Sequence, residues 1–262
     1  MGILNVTPDS FSDGGRFHAL ESALYHAEKM IADGVDIIDI GGESSRPGAQ
    51  PLPLREELQR VIPVLHALRD CGKPLSVDTY KPEVMREALI AGADMINDIG
   101  GFRMQAARDA VKDSDCGLCA MHMQSDPQTM QVKPEYQNVV EEVASFLHQR
   151  MTDLEEAGVN RDRICIDPGF GFGKTLVHNI ELLRNLDRLR NTADVPLLAG
   201  LSRKSMIGAI TGRAVEDRLS GSLAAALWAA AHGADILRVH DVGQTMDALK
   251  VWQAVSFQSP AA

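Results

Sequence analysis

Three stretches of this chain repeat one pattern. "ADGVDIIDI" (32–40), "AGADMINDI" (91–99) and "HGADILRVH" (232–240) each run Gly, a small residue, Asp, then an apolar segment. "EAGVNRDRICID" (156–167) is a longer version of it. A helix-period stretch precedes each run. Gly34, Gly92 and Gly233 therefore read as helix C-caps, where a left-handed backbone costs glycine little. The short runs that follow read as strands buried on both faces, as parallel strands are.

Counting such units gives eight candidate strands: Gly2–Val6, Ile37–Ile40, Leu75–Val77, Met95–Asn97, Gly117–Met121, Ile164–Ile166, Leu197–Ala199 and Ile236–Val239. Helical stretches lie between them, near 19–32, 55–69, 81–91, 104–113, 137–157, 178–190, 205–231 (with a break at Gly212) and 242–254. Strict alternation of this kind leaves a closed eight-fold barrel or an open doubly wound sheet. The count, and a length of 262 residues, favour an α/β fold of the (β/α)8 or TIM-barrel type, which typically takes ~250 residues. No domain boundary is visible, so residues 1–262 read as one domain.

Composition narrows the function. A formal charge of −10 argues against nucleic acid or an anionic membrane as partner, although it leaves room for a local cationic pocket. No apolar run is long enough to span a bilayer. Met1-Gly2 is not followed by a basic and then an apolar region, so no signal peptide is expected. Four cysteines in a chain of this size suggest a reducing cytoplasm rather than a disulfide framework.

The connections are lopsided. Helix-to-strand turns are short, at Asp33-Gly34, Ala91-Gly92 and His232-Gly233. Strand-to-helix loops are long and polar, notably after strands 1, 2, 5, 6 and 7, and long loops in compact domains tend to be functional. In a barrel they sit on the C-terminal face, where active sites lie. Loop 5–15, "NVTPDSFSDGG", then reads as part of an active-site rim.

The residues ending the strands fit that expectation. Asn5 follows strand 1 and Glu43-Ser44-Ser45-Arg46 follows strand 2. Asp78 ends strand 3, Asn97 and Asp98 strand 4, His122 strand 5 and Asp167 strand 6. Ser202-Arg203-Lys204 follows strand 7, and Arg238 and His240 end strand 8. Arg46, Arg203, Lys204, Arg238 and His240 suit an anion. Asp78, Asn97 and Asp167 offer acceptors and one amide. A carboxylate accepts two parallel N–H bonds from a guanidine-like edge, and Asn97 can both donate and accept along the rest of it. A substrate with an amino-heterocycle at one end and phosphate at the other would match both sets.

Two familiar motifs fail. "GFGFGKT" (169–175) lacks the P-loop's first glycine, because Pro168 stands there, and Lys174 breaks the dinucleotide pattern. "CGLC" (116–119) has redox spacing but enters a strand, so buried structural cysteines are the better reading.

With these residues in place, the sequence closely resembles the dihydropteroate synthases of the pterin-binding (β/α)8 family. The matching stretches are "MGILNVTPDSFSDGG" (1–15), "DIGGESSRPGA" (39–49), "SVDTYKP" (76–82), "INDIGG" (96–101), "IDPGFGFGK" (166–174), "GLSRKS" (200–205) and "RVHDV" (238–242). They run in family order over the whole chain. The resemblance implies condensation of 6-hydroxymethyl-7,8-dihydropterin diphosphate with p-aminobenzoate, giving 7,8-dihydropteroate and pyrophosphate. It also implies Mg2+ as cofactor, sulfonamides as inhibitors and a homodimer. Asp78, Asn97, Asp167 and Lys204 match pterin-binding positions, with Met121 lining that pocket. Asn5, Arg238 and His240 match the group holding diphosphate, Asn5 also serving the metal and Arg238 also packing on the pterin ring. Ser45, Arg46, Phe172 and Ser205 match positions near the aminobenzoate. Asn5, Arg46, Asp78, Lys204, Arg238 and His240 are thus the expected catalytic set. Loop 5–15 is implied to be a mobile lid.

Two departures stand out. Ser45 occupies a position that is usually threonine, and the chain begins inside its first strand, where relatives carry residues before it. The alternative reading is a pterin-binding methyltransferase acting on methyltetrahydrofolate. That enzyme shares the Asp/Asn edge but has no need of "ESSRPG", "SRKS" and "RVH" together as an anion site. A non-catalytic pterin binder would likewise need no grip for diphosphate. Asp39 and Glu43 read as orienting groups for loop 2 or for ligand-binding side chains. Met85, Met95, Met104 and "SLAAALWAAA" (222–231) read as core packing, and His122 as a satisfied strand-end histidine.

Overall fold

Each glycine-ended helix hands the chain to a short strand, and the strands line up in the order in which they occur. The computed structural model describes residues 1–6, 15–46 and 48–256. The lid expected over 5–15 lies largely outside the described residues. Strands β1 (Gly2–Asn5), β2 (Ile38–Gly41), β3 (Leu75–Asp78), β4 (Met95–Asp98), β5 (Gly117–Met121) and β6 (Ile164–Asp167) form one parallel sheet. β7 (Leu198–Ala199) and β8 (Ile236–Leu237) form a separate parallel pair. Single bridges, Gly2 to Val239 and Ile166 to Leu197, close the ring into a (β/α)8 barrel.

Ten helices wrap the described barrel: α1 (Gly15–Ala32), α2 (Leu54–Leu68), α3 (Pro82–Ile90), α4 (Gln105–Val111), α5 (Val139–Glu156), α6 (Leu176–Arg184), α7 (Leu186–Ala193), α8 (Ser205–Thr211), α9 (Leu219–Ala231) and α10 (Val242–Ser256). Gly34, Gly92 and Gly233 hold φ of 88°, 98° and 98°, as their reading as C-caps requires. Gly212 breaks the 205–231 segment at φ 70°. The 178–190 helix is two helices rather than one. Asn185 turns its amide back to the Glu181 carbonyl at 2.8 Å, and such local side-chain bonds compete with helix continuation.

Two apolar layers flank the strands. Outward residues such as Ile38, Ile40, Val77, Ile96, Leu118 and Ile166 pack on helix residues including Ala27, Val61, Leu65, Met85 and Leu147. Inside the barrel, Met1, Met95, Cys119, Cys165 and Leu198 form a separate plug with Ile37 and Ile236. Cys119 and Cys165 sit side by side in the β5–β6 register, and both are free thiols. Two residues further along β2 and β4 the plug gives way to Asp39 and Asn97, with Ser76 beside them on β3. The interior therefore changes from apolar to polar towards the C-terminal ends of the strands. That change positions the site.

Candidate active site

Strand register builds the floor. Asn5, Gly41, Asp78 and Asn97 are successive partners across β1, β2, β3 and β4. The missing side chain of Gly41 leaves open space there: a Cβ would lie 3.6 Å from the Asn5 Oδ1 and 3.9 Å from the Asp78 Cβ. Further round, Met121 and Asp167 face each other across β5 and β6. Arg238, just past β8, spans the mouth. Its Nε donates to Asp39 at 2.6 Å and its Nη2 to Asp78 at 2.8 Å.

Asp39 is fully buried and serves three partners. Besides Arg238, its carboxylate accepts from the Ser76 hydroxyl at 2.6 Å and the Asn97 amide at 3.3 Å. Asp39 therefore orients both Arg238 and Asn97, as one of its two sequence readings expects. Because Asn97 spends one N–H on Asp39, its carbonyl oxygen and second N–H remain for a ligand.

Asp167 is held by a turn. Its Oδ1 accepts the Gly169 N–H at 2.7 Å. Gly169 adopts φ 68°, and a Cβ there would meet the His122 carbonyl oxygen at 1.8 Å, so only glycine fits. Lys174 fastens the same loop from beneath, donating to the carbonyls of Gly169 at 2.8 Å and Phe172 at 2.9 Å and meeting His122 Nδ1 at 2.9 Å. Burial pulls both the Lys174 ammonium and the His122 imidazolium well below their usual ranges. His122 packs edge-on to Phe146, with centroids 4.8 Å apart, and is a satisfied strand-end histidine as expected.

The Lys204 ammonium lies 4.1 Å above the Phe172 ring, a favourable cation–π placement. Burial lowers it to about 8 against the pull of Asp167. Phe172 also joins Ile99, Met121, Met123 and Met130 in an apolar roof. His240 is anchored by Ser202: its backbone N–H donates to Oγ at 3.2 Å, and Nδ1 lies 3.0 Å from the same oxygen. Burial and the adjacent Arg238 lower His240 to about 4, so at neutral pH it is an uncharged donor.

Burial also shifts the acids. Asp78 is pushed up to about 7 by desolvation and the nearby Asp39, Glu57 and Asp98, partly offset by Arg238. Asp167 is raised by burial, against the Gly169 N–H and Lys204. Perturbed carboxyls, a lowered lysine and a neutral histidine clustered at one barrel mouth mark a functional site.

The structure brings together Asn5, Asp78, Asn97, Met121, Asp167, Phe172, Lys204, Arg238 and His240. It does not bring Ser45, Arg46 and Ser205 to the floor. Ser205 opens α8 and is exposed, and Arg46 is exposed on loop 2. Ser45 borders a cavity of about 370 Å³ shared with Ser44, Asp78, Tyr80, Met104 and Pro127. Two expectations are corrected. Arg203 does not join the cationic set: it holds a left-handed φ of 57°, and its Nε donates to Asp241 at 3.0 Å with Nη2 on the other oxygen. Met104 is 48% exposed beside the cavity rather than core, because it precedes the short α4 on its outer side. Sequence reasoning names Ser202 only as a strand-end residue, and it misses Ser76 and the structural role of Lys174. The signals available were the polar residues at inward strand positions and a lysine closing a glycine-rich turn.

Comparison with known proteins fits this arrangement. The family model for pterin binding enzymes matches residues 1–240. The chain is 50% identical over 259 residues to the dihydropteroate synthase of Haemophilus influenzae, a match covering 98% of this chain and 93% of that protein. The structure of Burkholderia cenocepacia dihydropteroate synthase complexed with 7,8-dihydropteroate superposes with a TM-score of 0.88 at 54% identity, covering 97% of this chain and 90% of that one. Xanthomonas albilineans dihydropteroate synthase with 4-aminobenzoic acid gives a TM-score of 0.93 at 53% identity, covering 99% and 93%.

Proposed function

We propose, from the premise that the chain belongs to the dihydropteroate synthases of the pterin-binding enzyme family, that this transferase joins p-aminobenzoate to 6-hydroxymethyl-7,8-dihydropterin diphosphate. The observation carrying this reading is the convergence of Asp78, Asn97 and Asp167 with Lys204, Arg238 and His240 at one barrel mouth. The acids and the amide suit the amino-heterocycle edge of the pterin. Lys204 and Arg238 meet its ring, and Arg238 and His240 take the diphosphate. Ser45, Arg46, Phe172 and Ser205 receive the aminobenzoate.

The chemistry follows from that division. The C–O bond to diphosphate breaks with its electron pair leaving on pyrophosphate, and the electron-rich dihydropterin ring carries the positive charge. Arg238 and the His240 N–H stabilise the departing anion. The neutral arylamine nitrogen then forms the N–C bond and releases one proton to solvent, so no strong general base is required. Holding the amine beside the ionising carbon supplies effective concentration. Magnesium keeps most of its waters and takes few protein oxygens. The Asn5 amide oxygen, which stands on the floor beside the side-chain-free Gly41, fits such a role. When bound, the ion would neutralise charge on the leaving group.

The test is Mg2+-dependent pyrophosphate release with and without p-aminobenzoate, in the wild type and Arg46→Ala. Release should need the arylamine and collapse in the variant. Absence of release with pterin binding intact would favour the methyl-transfer reading. Sulfonamides, as arylamine mimics, should compete with p-aminobenzoate.

A pH dependence follows from Asp78. Its carboxylate, not its acid form, accepts from a pterin edge, and its carboxyl titrates near 7. Affinity for a pterin should therefore rise as pH passes from 6 to 8, and Asp78→Asn should flatten the rise. Titration calorimetry across that range checks it, and an unchanged slope in the variant would assign the effect elsewhere.

A further inference from the structure

The root of loop 2 is pinned by a largely buried ionic cluster, and Glu43, Glu57 and Tyr80 of that cluster also line the cavity beside Ser45. Glu43 is the first residue of "ESSRPG" and precedes Ser45 and Arg46 by two and three positions. Its Oε1 accepts the Tyr80 hydroxyl at 2.7 Å, and its Oε2 accepts the Lys81 ammonium. The same ammonium donates to Glu57 on α2 at 2.5 Å, and Glu57 Oε1 takes the Thr79 hydroxyl at 2.6 Å. Glu57 is 1% exposed and the Lys81 side chain 15%. Next door, Arg60 of α2 donates to the Gly42 carbonyl at 2.9 Å. Beyond the root, the cross-links to the rest of the fold thin out. Among described residues the only backbone bond from loop 2 outwards runs from Gly48 N–H to the Pro127 carbonyl at 3.2 Å.

We propose that Lys81 is a positioning residue for the second substrate, pinning Glu43 to α2 so that Ser45 and Arg46 leave the barrel in the direction the aminobenzoate site needs. The inference rests on the reading that loop 2 contacts p-aminobenzoate. One ammonium joins two carboxylates from two elements, which fixes the exit of the loop far more firmly than a surface pair would. The root is held at several points, and a pre-set root lowers the ordering cost when substrate arrives. A misplacement of about 1 Å at such a root is enough to lose two orders of magnitude in rate. Thr79 and Tyr80 lie between Asp78 and Lys81 on the segment leaving β3, so Asp78 of the pterin floor and the pin share one short stretch of backbone. The pterin floor residues Asp78, Asn97 and Asp167 lie on strands, and Lys204 and Arg238 follow β7 and β8, so none of them belongs to loop 2.

The experiment compares steady-state kinetics of the full chain in Lys81→Met, Lys81→Arg, Glu43→Gln and Arg46→Ala, with thermal melting alongside. Lys81→Met should raise the KM for p-aminobenzoate by about tenfold or more, with the KM for the pterin diphosphate within about twofold. Lys81→Arg should restore most of the loss, and Lys81→Met with Glu43→Gln together should be no worse than the stronger single variant. If Lys81→Met melts normally with an unchanged aminobenzoate KM, the pin is overturned. Equal losses for both substrates without rescue by arginine would also overturn it, leaving a structural role only. Should Lys81→Met fail to fold, Glu43→Gln decides by the same readout, because it leaves the Lys81–Glu57 pair intact. If Arg46→Ala leaves the aminobenzoate KM unchanged, the underlying reading of loop 2 fails instead.

Discussion

Arg238→Met is expected to melt well below the wild type and to turn over no substrate. The guanidinium is the counter-charge of two carboxylates, one of them fully buried, and Asp39 and Asp78 both raise its affinity for its proton. Deleting one partner of a buried ion pair leaves the other charge uncompensated, which costs about 3–5 kcal/mol. Asp39 retains its bonds from Ser76 and Asn97, so the lower end, about 3 kcal/mol, is expected here. For a chain of this size that is a fall in Tm of roughly 6–12 °C. Adding Asp39→Asn should recover part of the loss, because it removes one of the stranded charges. Differential scanning calorimetry on the two variants measures this. A single variant melting with the wild type would mean that the pair does not hold the barrel mouth together.

Asp167→Asn should separate affinity from stability. Asparagine keeps an oxygen for the Gly169 N–H but can no longer present a carboxylate to a pterin edge. A site left with an unpaired or mismatched polar group rejects its ligand by about 2–3 kcal/mol, close to a hundredfold in Kd. The fold should not suffer. Burial raises the Asp167 carboxyl, so the folded state disfavours its charge, and a neutral isostere relieves that desolvation. Calorimetric titration with a pterin, beside a thermal melt, reads both effects. Retained affinity would remove Asp167 from the pterin floor. A Tm at or above the wild type would identify its charge as kept for function at the expense of stability.

Much of the fold was legible because its glycine caps and short apolar runs coincide. Every candidate strand is present, with ends displaced by at most two residues. What the runs concealed was their alternation. In "DIIDI", Ile38 and Ile40 face the helices while Ile37 and Asp39 face inward. Reading such a run as uniformly buried loses the inward polar residue, and so Ser76 passed unnoticed and Asp39 stayed undecided. Strand period alone could have found them. The residues on the floor were legible because strand ends are fixed by register. Arg203 was misassigned because its neighbour in sequence, Lys204, turns inward while its own left-handed backbone carries it to Asp241, a partner that spacing cannot predict. Asn185 divides a helix through a side-chain bond that competes with the backbone, which periodicity does not register.

The barrel is closed unequally. Six strands share a continuous ladder, whereas β7 and β8 meet the others through one bridge on each side. The molecule therefore consists of a broad leaf and a narrow one, joined along two thin seams. Asp78, Asn97 and Asp167 belong to the broad leaf, and Lys204, Arg238 and His240 follow the strands of the narrow one. In the free protein Arg238 is the clasp, reaching from one leaf to two carboxylates on the other. A ligand gripped at both ends would reinforce the same joint, so binding should stabilise the two seams. The amides of Ile3, Ile166 and Val239 bond across those seams, and their hydrogen exchange should slow when a pterin fills the barrel mouth.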